Sequence, residues 1–269
     1  MTLQSFDLSG RVAVVSGAAN GLGKAMSIGV AEAGADLVLV DRNEVGLQQT
    51  CQEIEQLGRQ AVAEVVDVSD PEQIEALFER IDSRFGRVDY LGNVAGDGLL
   101  RRPEEITIEE LKQVLQNLVV GRFAMCQQAG RRMLAAGPGS IVNIGSLASS
   151  TALGRHHIAY SMSMGAVIQM TRELSTEWSC RGVRVNAILP AQVTNDSLRE
   201  RMQEDPNLEQ QFLSGIPIGR LGVPDDIKGL SVFLASDAAS WITGALIPMD
   251  GGNMAMNAGG HLSLGNNER

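Results

Sequence analysis

Seven short runs rich in Val, Ile and Leu recur along the chain, at 11–16, 36–40, 61–66, 88–93, 140–144, 184–189 and 245–249, and each reads as a β-strand. Between them lie longer stretches in which apolar residues return at three- and four-residue spacing. These predict helices over 21–33, 44–57, 71–85, 107–136, 158–181 and 225–235, the third opened by the capping sequence Ser69-Asp70-Pro71. Strands that are apolar at nearly every position need cover on both faces. The alternation therefore implies a single-domain α/β fold, a Rossmann-like, doubly wound, seven-stranded parallel sheet with helices on either side.

The segment 192–222 breaks this rhythm with two helix-like stretches punctuated by Pro206, Gly215 and Pro217. Ligands of an open α/β sheet sit beyond the carboxyl ends of its strands, so an irregular insertion after the sixth strand is placed to form a lid over a substrate. No linker divides the chain. It reads as one domain over 1–252, followed by a Gly- and Asn-rich tail, 253–269, either frayed or folded against a neighbouring subunit.

Composition narrows the function classes. With 44% apolar and 20% charged residues over 269 positions, a large core can be buried. A net charge of −10 leaves no basic patch for nucleic acid or an anionic membrane surface. Cys51, Cys126 and Cys180 are widely spaced and fit free thiols in a reducing compartment better than disulfides or a zinc site. The first ten residues lack the basic and apolar regions of a signal peptide, and no apolar run approaches the ~20 residues of a membrane span. The expectation is a cytoplasmic protein with a small-molecule substrate and no metal.

The chemistry begins at Ser16-Gly17-Ala18-Ala19-Asn20-Gly21-Leu22-Gly23, a glycine turn that follows the first strand and opens a helix. Its glycines permit close backbone approach, and the helix N-terminus at Gly21 and Leu22 offers amide hydrogens to a pyrophosphate. The second strand ends in Asp41, about 20 residues on, where a carboxylate accepts hydrogen bonds from ribose hydroxyls and repels a 2′-phosphate. NAD is thus the expected cofactor, with Asn20 in agreement and Arg42 a solvated side chain able to stack on adenine.

These motifs resemble those of the short-chain dehydrogenase/reductase family over about residues 8–252. Its Thr-Gly-x-x-x-Gly-x-Gly turn matches 16–23, and Asp67-Val68 resembles the pair that holds adenine. Asn93-Val94-Ala95-Gly96 resembles its Asn-Asn-Ala-Gly, with Asn93, Ala95 and Gly96 near the cofactor ribose. Pro190-Ala191-Gln192-Val193-Thr194 resembles its Pro-Gly-x-x-x-Thr loop, so Pro190 and Val193 are implied in holding the nicotinamide amide, with Thr194 or Asn195 at the hydroxyl position.

The same resemblance implies Ser146, 14 residues before Tyr160, as the group that hydrogen-bonds the substrate oxygen, and Tyr160 as the proton-transfer group in secondary alcohol/ketone interconversion. Two positions depart from the pattern. Tyr160-Ser161-Met162-Ser163-Met164 resembles the family's Tyr-x-x-x-Lys with Met164 in place of lysine, and gap-free alignment puts Leu118 at an asparagine position with Asn117 adjacent. A thioether supplies neither charge nor donors. One residue of offset on a helix is a turn of roughly 100°, so Asn117 substitutes only if the helix contains a π-bulge. Residues i and i+4 share a face, so Met164 is expected to point with Tyr160 toward the cofactor.

Impaired proton transfer on an intact cofactor site is the resulting expectation, by design or by natural divergence. The alternative is an inactive NAD(H)-binding sensor or scaffold; non-redox lyase or isomerase chemistry at Tyr160 has no residue that supports it. Arg101, Arg102, Arg155, His156 and His157 form a polar rim that suits a polar or anionic substrate. The family's interfaces imply a homo-oligomer, a dimer or homotetramer, built on helices 107–136 and 158–181.

Overall fold

The computed structural model describes residues 4–256. Seven parallel strands form one sheet in the order β3-β2-β1-β4-β5-β6-β7. They are β1 (Val12–Ser16), β2 (Asp36–Asp41), β3 (Ala61–Val65), β4 (Tyr90–Asn93), β5 (Gly139–Ile144), β6 (Val183–Pro190) and β7 (Leu246–Met249). Each expected strand is present, with ends displaced by at most two residues.

The helices are α1 (Gly21–Glu32), α2 (Glu44–Gln56), α3 (Pro71–Phe85), α4 (Ile108–Leu115), α5 (Arg122–Ala136), α6 (Ile158–Trp178), α7 (Asp196–Glu204), α8 (Leu208–Leu213) and α9 (Lys228–Ala235). Asp70 caps α3 by accepting from the amides of Glu72 and Gln73, with Pro71 at the first turn, as its sequence predicts. At the other end Gly86 takes the left-handed conformation that closes a helix.

The two faces of the sheet carry separate cores. Val15, Leu37, Leu39 and Tyr90 face α1, α2 and α9 on one side, and Val14, Val38, Leu91 and Val185 face α3 and α5 on the other. Full burial on both faces is the physical reason the strands read as unbroken apolar runs. The chain reverses direction across the sheet between β1 and β4, leaving a crevice beyond their carboxyl ends.

The expected long helix over 107–136 is not one α-helix. Between α4 and α5 the segment Gln116–Gly121 is a π-helix, a wide turn that absorbs one extra residue. The predicted lid contains α7 and α8, which pack Leu198, Phe212, Ile216 and Leu221 into a small apolar cluster of their own. Most of the tail lies outside the described residues.

Candidate active site

A cleft of about 530 Å³ crosses the carboxyl ends of β1, β2, β4 and β5, within the size range of small-molecule sites. Gly17, Asn20, Gly21 and Leu22 form one wall. Only glycine fits at 23, where a Cβ would lie 2.0 Å from the Gly17 carbonyl oxygen. Asn20 occupies the N-cap of α1 without capping through its side chain, so the first-turn amides are left for another acceptor at the cleft. A pyrophosphate fits that demand.

Ser16 performs a task beyond resembling the family's threonine. Its hydroxyl oxygen accepts from the amides of Val94 (3.0 Å) and Ala95 (3.1 Å), clamping the β4 loop to the end of β1. Ala95 and Gly96 line the cleft.

The Asp41 carboxylate lines the cleft, fixed by the amides of Ala19 (3.2 Å) and Asn43 (3.0 Å). Asp67 and Val68 line it further along. Hydrogen bonds from the Ser69 amide and hydroxyl hold the Asp67 carboxyl below its usual range, opposed by partial burial and aided by Arg42. Arg42 is not simply solvated: it pairs with Asp97 at 2.6 Å and lies 4.0 Å from Asp67.

At the other end, Ser146 and Tyr160 line the same cleft. The Ser146 oxygen accepts from the Ala148 amide (3.2 Å), which leaves its O–H free to donate toward a ligand. Gly98 lies so close to the Tyr160 ring that a Cβ there would stand 2.8 Å from Cδ2. His157 tilts against the ring with centroids 5.8 Å apart. Pro190, Val193 and Thr194 close this end. Asn195 also lines the cleft, but its side chain caps α7 by accepting from the Leu198 amide at 2.7 Å, which favours Thr194 for the hydroxyl position.

Two expected cofactor residues are placed elsewhere. Met164 is fully buried beneath Tyr160 in an apolar cluster with Leu118, Val114 and Val167 and is absent from the cleft wall. Sharing a helix face with Tyr160 was not enough, because the tyrosine ring reaches past that cluster and the shorter thioether stays within it. Asn93 is also buried; its side-chain amide donates to the Arg122 carbonyl (2.9 Å) and to Asn143 Oδ1 (3.1 Å), so it braces the start of α5.

The π-turn supplies what gap-free alignment denied. It sends Leu118 into the core and puts Asn117 on the cleft wall, where its Oδ1 accepts from the Asp97 amide at 3.0 Å.

Arg122 is the residue that the sequence reading missed. Its guanidinium is buried on the cleft wall and donates to three main-chain carbonyls: Ala95 (3.1 Å), Val94 (2.9 Å) and Ile144. Burial lowers its pKa to about 10, opposed by the nearby Tyr160 phenol and Cys126 thiol. It remains cationic at neutral pH. An arginine beside the half-exposed Phe123 on an amphipathic helix reads as a solvated side chain, and only its place directly after Gly121 at the π-turn could have flagged it.

Beyond Tyr160 the rim is cationic. Arg155 stacks over Phe212 of α8 at 5.0 Å, and both burial and Arg201 of α7 hold its pKa down. His157 is pushed below the usual histidine value by burial first, then by Arg155, Arg201 and His156. Arg101 instead pairs with Glu110, and Arg102, His156 and Arg155 border a neighbouring depression. Among the described residues no cluster of His, Cys, Asp or Glu could hold a metal, and no helix is long and apolar enough to cross a membrane.

A family model described as enoyl-(acyl carrier protein) reductase matches residues 17–254. D-threitol dehydrogenase of Mycolicibacterium smegmatis is 39% identical over 92% of this chain and 94% of its own. A 2-dehydro-3-deoxy-D-gluconate 5-dehydrogenase of Dickeya dadantii is 36% identical over 95% and 100%. The crystal structure of a gluconate 5-dehydrogenase from Burkholderia cenocepacia, in complex with NADP and tartrate, superposes with a TM-score of 0.87 at 29% identity, covering 93% of this chain and 98% of that one. The glycine turn, the crevice at the strand reversal, the Ser146 and Tyr160 pair and these matches along nearly the whole length establish that the chain belongs to the short-chain dehydrogenase/reductase family.

Proposed function

We propose that this protein is an NAD(H)-dependent dehydrogenase that interconverts a secondary alcohol and a ketone on a polyhydroxylated substrate, with a sugar acid favoured over a neutral polyol. The observation that carries the reading is the convergence of Ser146 and Tyr160 on the cleft that begins at the Gly17–Gly23 turn.

The first-turn amides at Gly21 and Leu22 would hold the pyrophosphate, Asp41 the adenosine ribose, and Pro190, Val193 and Thr194 the nicotinamide end. Asp41 supports NAD(H) over NADP(H), since its charge opposes a 2′-phosphate and Arg42 is already engaged with Asp97. When bound, the nicotinamide supplies the two-electron acceptor or donor. The chain's residues do the rest: the Ser146 hydroxyl donates to the substrate oxygen, and Tyr160 takes the alcohol proton in oxidation and returns it in reduction.

Arg155 and Arg201 support the sugar acid. Arg201 adds to the positive potential at Arg155, and neither pairs with a carboxylate among the described residues, so this rim, which borders the depression beside the cleft, favours an anionic group on the substrate. Exposed Val120, Phe123 and Met162 on the outer helices suit a homo-oligomeric interface.

The expectation of impaired proton transfer rested on Met164 and Leu118. With Asn117 and Arg122 on the cleft wall, it is not part of this proposal. The test is turnover of NAD+ and NADP+ with a panel of polyols and aldonates. Expected are higher kcat/KM for NAD+ and loss of at least about 100-fold in Ser146→Ala and Tyr160→Phe. NADH binding without turnover of any panel member would overturn the reading in favour of a cofactor-binding sensor.

A further inference from the structure

We infer that Asp97, on the loop after β4, is a specificity-determining residue for the cofactor: it holds Arg42 away from the 2′ position of the adenosine ribose, so that an arginine able to bind a 2′-phosphate is kept from doing so. The inference deepens the NAD(H) reading above and rests on it.

The geometry is an ion pair that crosses the cleft. Arg42 follows the last residue of β2, and Asp97 lies four residues beyond the end of β4 at Asn93. β1 stands between those two strands, and strands two apart in a sheet are separated by about 10 Å. The Arg42 guanidinium is nevertheless 2.6 Å from the Asp97 carboxylate. The arginine therefore reaches over the carboxyl end of β1 to the β4 loop.

Asp97 is anchored to receive it. Its amide donates to Asn117 Oδ1 at 3.0 Å. Gly96 before it takes a φ of +141°, and a Cβ added there would collide with Leu118 and Asn117. Gly98 after it packs against the Tyr160 ring. The loop is thus fixed on both sides of Asp97, and the carboxylate has little room to follow a displaced guanidinium. Asp67 adds a second hold: its Oδ1 accepts from the Ser69 amide (2.9 Å) and hydroxyl (2.7 Å), and its Oδ2 lies 4.0 Å from Arg42 Nη1. Two carboxylates share one cation.

The pairing resolves a conflict in the sequence. A carboxylate at the end of β2 serves the ribose hydroxyls, and a nearby arginine is what accommodates a 2′-phosphate. This chain has both, side by side at Asp41 and Arg42. A guanidinium fork matches phosphate well, so a free Arg42 would work against the discrimination that Asp41 provides. With Asp97 in place, a 2′-phosphate has to displace a carboxylate already seated on the guanidinium and then lie close to its charge. Stacking of Arg42 on adenine does not discriminate, because both cofactors carry adenine.

No other basic side chain takes over. Arg42 and Arg122 are the two cationic residues on the cleft wall. Arg122 is held by the carbonyls of Val94, Ala95 and Ile144, and Lys24 on α1 pairs with Glu53 at 2.7 Å.

The experiment measures dissociation constants of NADH and NADPH by fluorescence titration at low ionic strength in four proteins: the unaltered chain, Asp97→Asn, Arg42→Gln and the double variant. The Arg42 and Asp97 side chains are 60% and 77% exposed, so these substitutions leave the core untouched, and NADH affinity reports on the same samples that the site is intact. Expected in Asp97→Asn is a gain of about 3- to 10-fold in NADPH affinity, the scale of one exposed ion pair and one repelling charge, against a change of less than about twofold for NADH. In the Arg42→Gln background the NADPH gain from Asp97→Asn is expected to fall to less than about half, which a double-mutant cycle reads directly.

An equal gain in both backgrounds overturns the inference, since Asp97 then acts through its own charge and not by holding Arg42. An unaltered protein that prefers NADPH, or binds neither nucleotide, overturns the NAD(H) reading and this inference with it. One that prefers NADH, with a ratio that Asp97→Asn leaves unmoved, overturns this inference alone.

Discussion

Leu118 and Met164 stand on different helical segments yet pack in one apolar cluster, each with no exposed surface. The two departures from the family pattern are therefore one change of environment: the site that would surround a lysine has become dry core. Restoring the family residue at 164 alone should not repair anything. Met164→Lys buries an ammonium among Leu118, Val114 and Val167, and a loss of about 2–4 kcal/mol is expected in urea unfolding. A variant as stable as the parent would show that position 164 reaches the cleft after all.

Asn93 braces the junction at which the π-turn meets α5. In Asn93→Ala the Arg122 carbonyl loses its side-chain donor and Asn143 loses a partner in the core. A cost of about 1 kcal/mol is expected for losing these buried bonds, since Asn143 Oδ1 keeps the Cys126 thiol as a donor at 3.3 Å. Hydrogen exchange should quicken over residues 116–126 while amides of β1 and β2 keep their protection.

Asp41 is fixed by two amides, so its removal changes charge at a defined place. Asp41→Ala is expected to lower the ratio of NAD(H) to NADP(H) affinity at least about tenfold, or 1.4 kcal/mol. Titration of both cofactors into both proteins measures it, and an unchanged ratio would remove the basis for the NAD assignment.

His157 makes stability depend on pH with a definite sign. Burial and neighbouring cations hold its folded pKa below the ordinary 6.5. Between the two midpoints the unfolded chain binds more protons, so stability is intact above about 6.5 and falls as the pH drops through that value, levelling off below the folded midpoint. His157→Gln is expected to flatten this part of the profile in thermal unfolding measured from pH 7 to pH 5.

Strands were legible because burial on both faces writes a continuous apolar run into the chain, as at Leu37 to Val40. The glycine turn was legible for a steric reason, since no other residue fits at 23. Ser146, Tyr160 and Asp41 sit at strand or helix ends, where local sequence fixes position closely. Met164 and Arg122 were harder because periodicity tells which face a residue occupies, not how far its side chain reaches. A π-turn is harder still. It changes which carbonyl each amide finds, and hydropathy carries no record of that; the one trace at Gln116–Gly121 was an asparagine a single position out of place.

That extra residue makes chain length itself a determinant of the helix geometry at the cleft. Removing one residue between Asn117 and Gly121 would let α4 and α5 run on as a regular helix with their faces still in phase, because the π-turn already absorbs that residue. Asn117 would then fall at the asparagine position of the family pattern, three residues before Gly121, and keep its place on the wall without the bulge. A single-codon insertion or deletion at this point thus exchanges a π-turn for a regular helix around the same cleft asparagine, a step that no series of side-chain replacements reproduces.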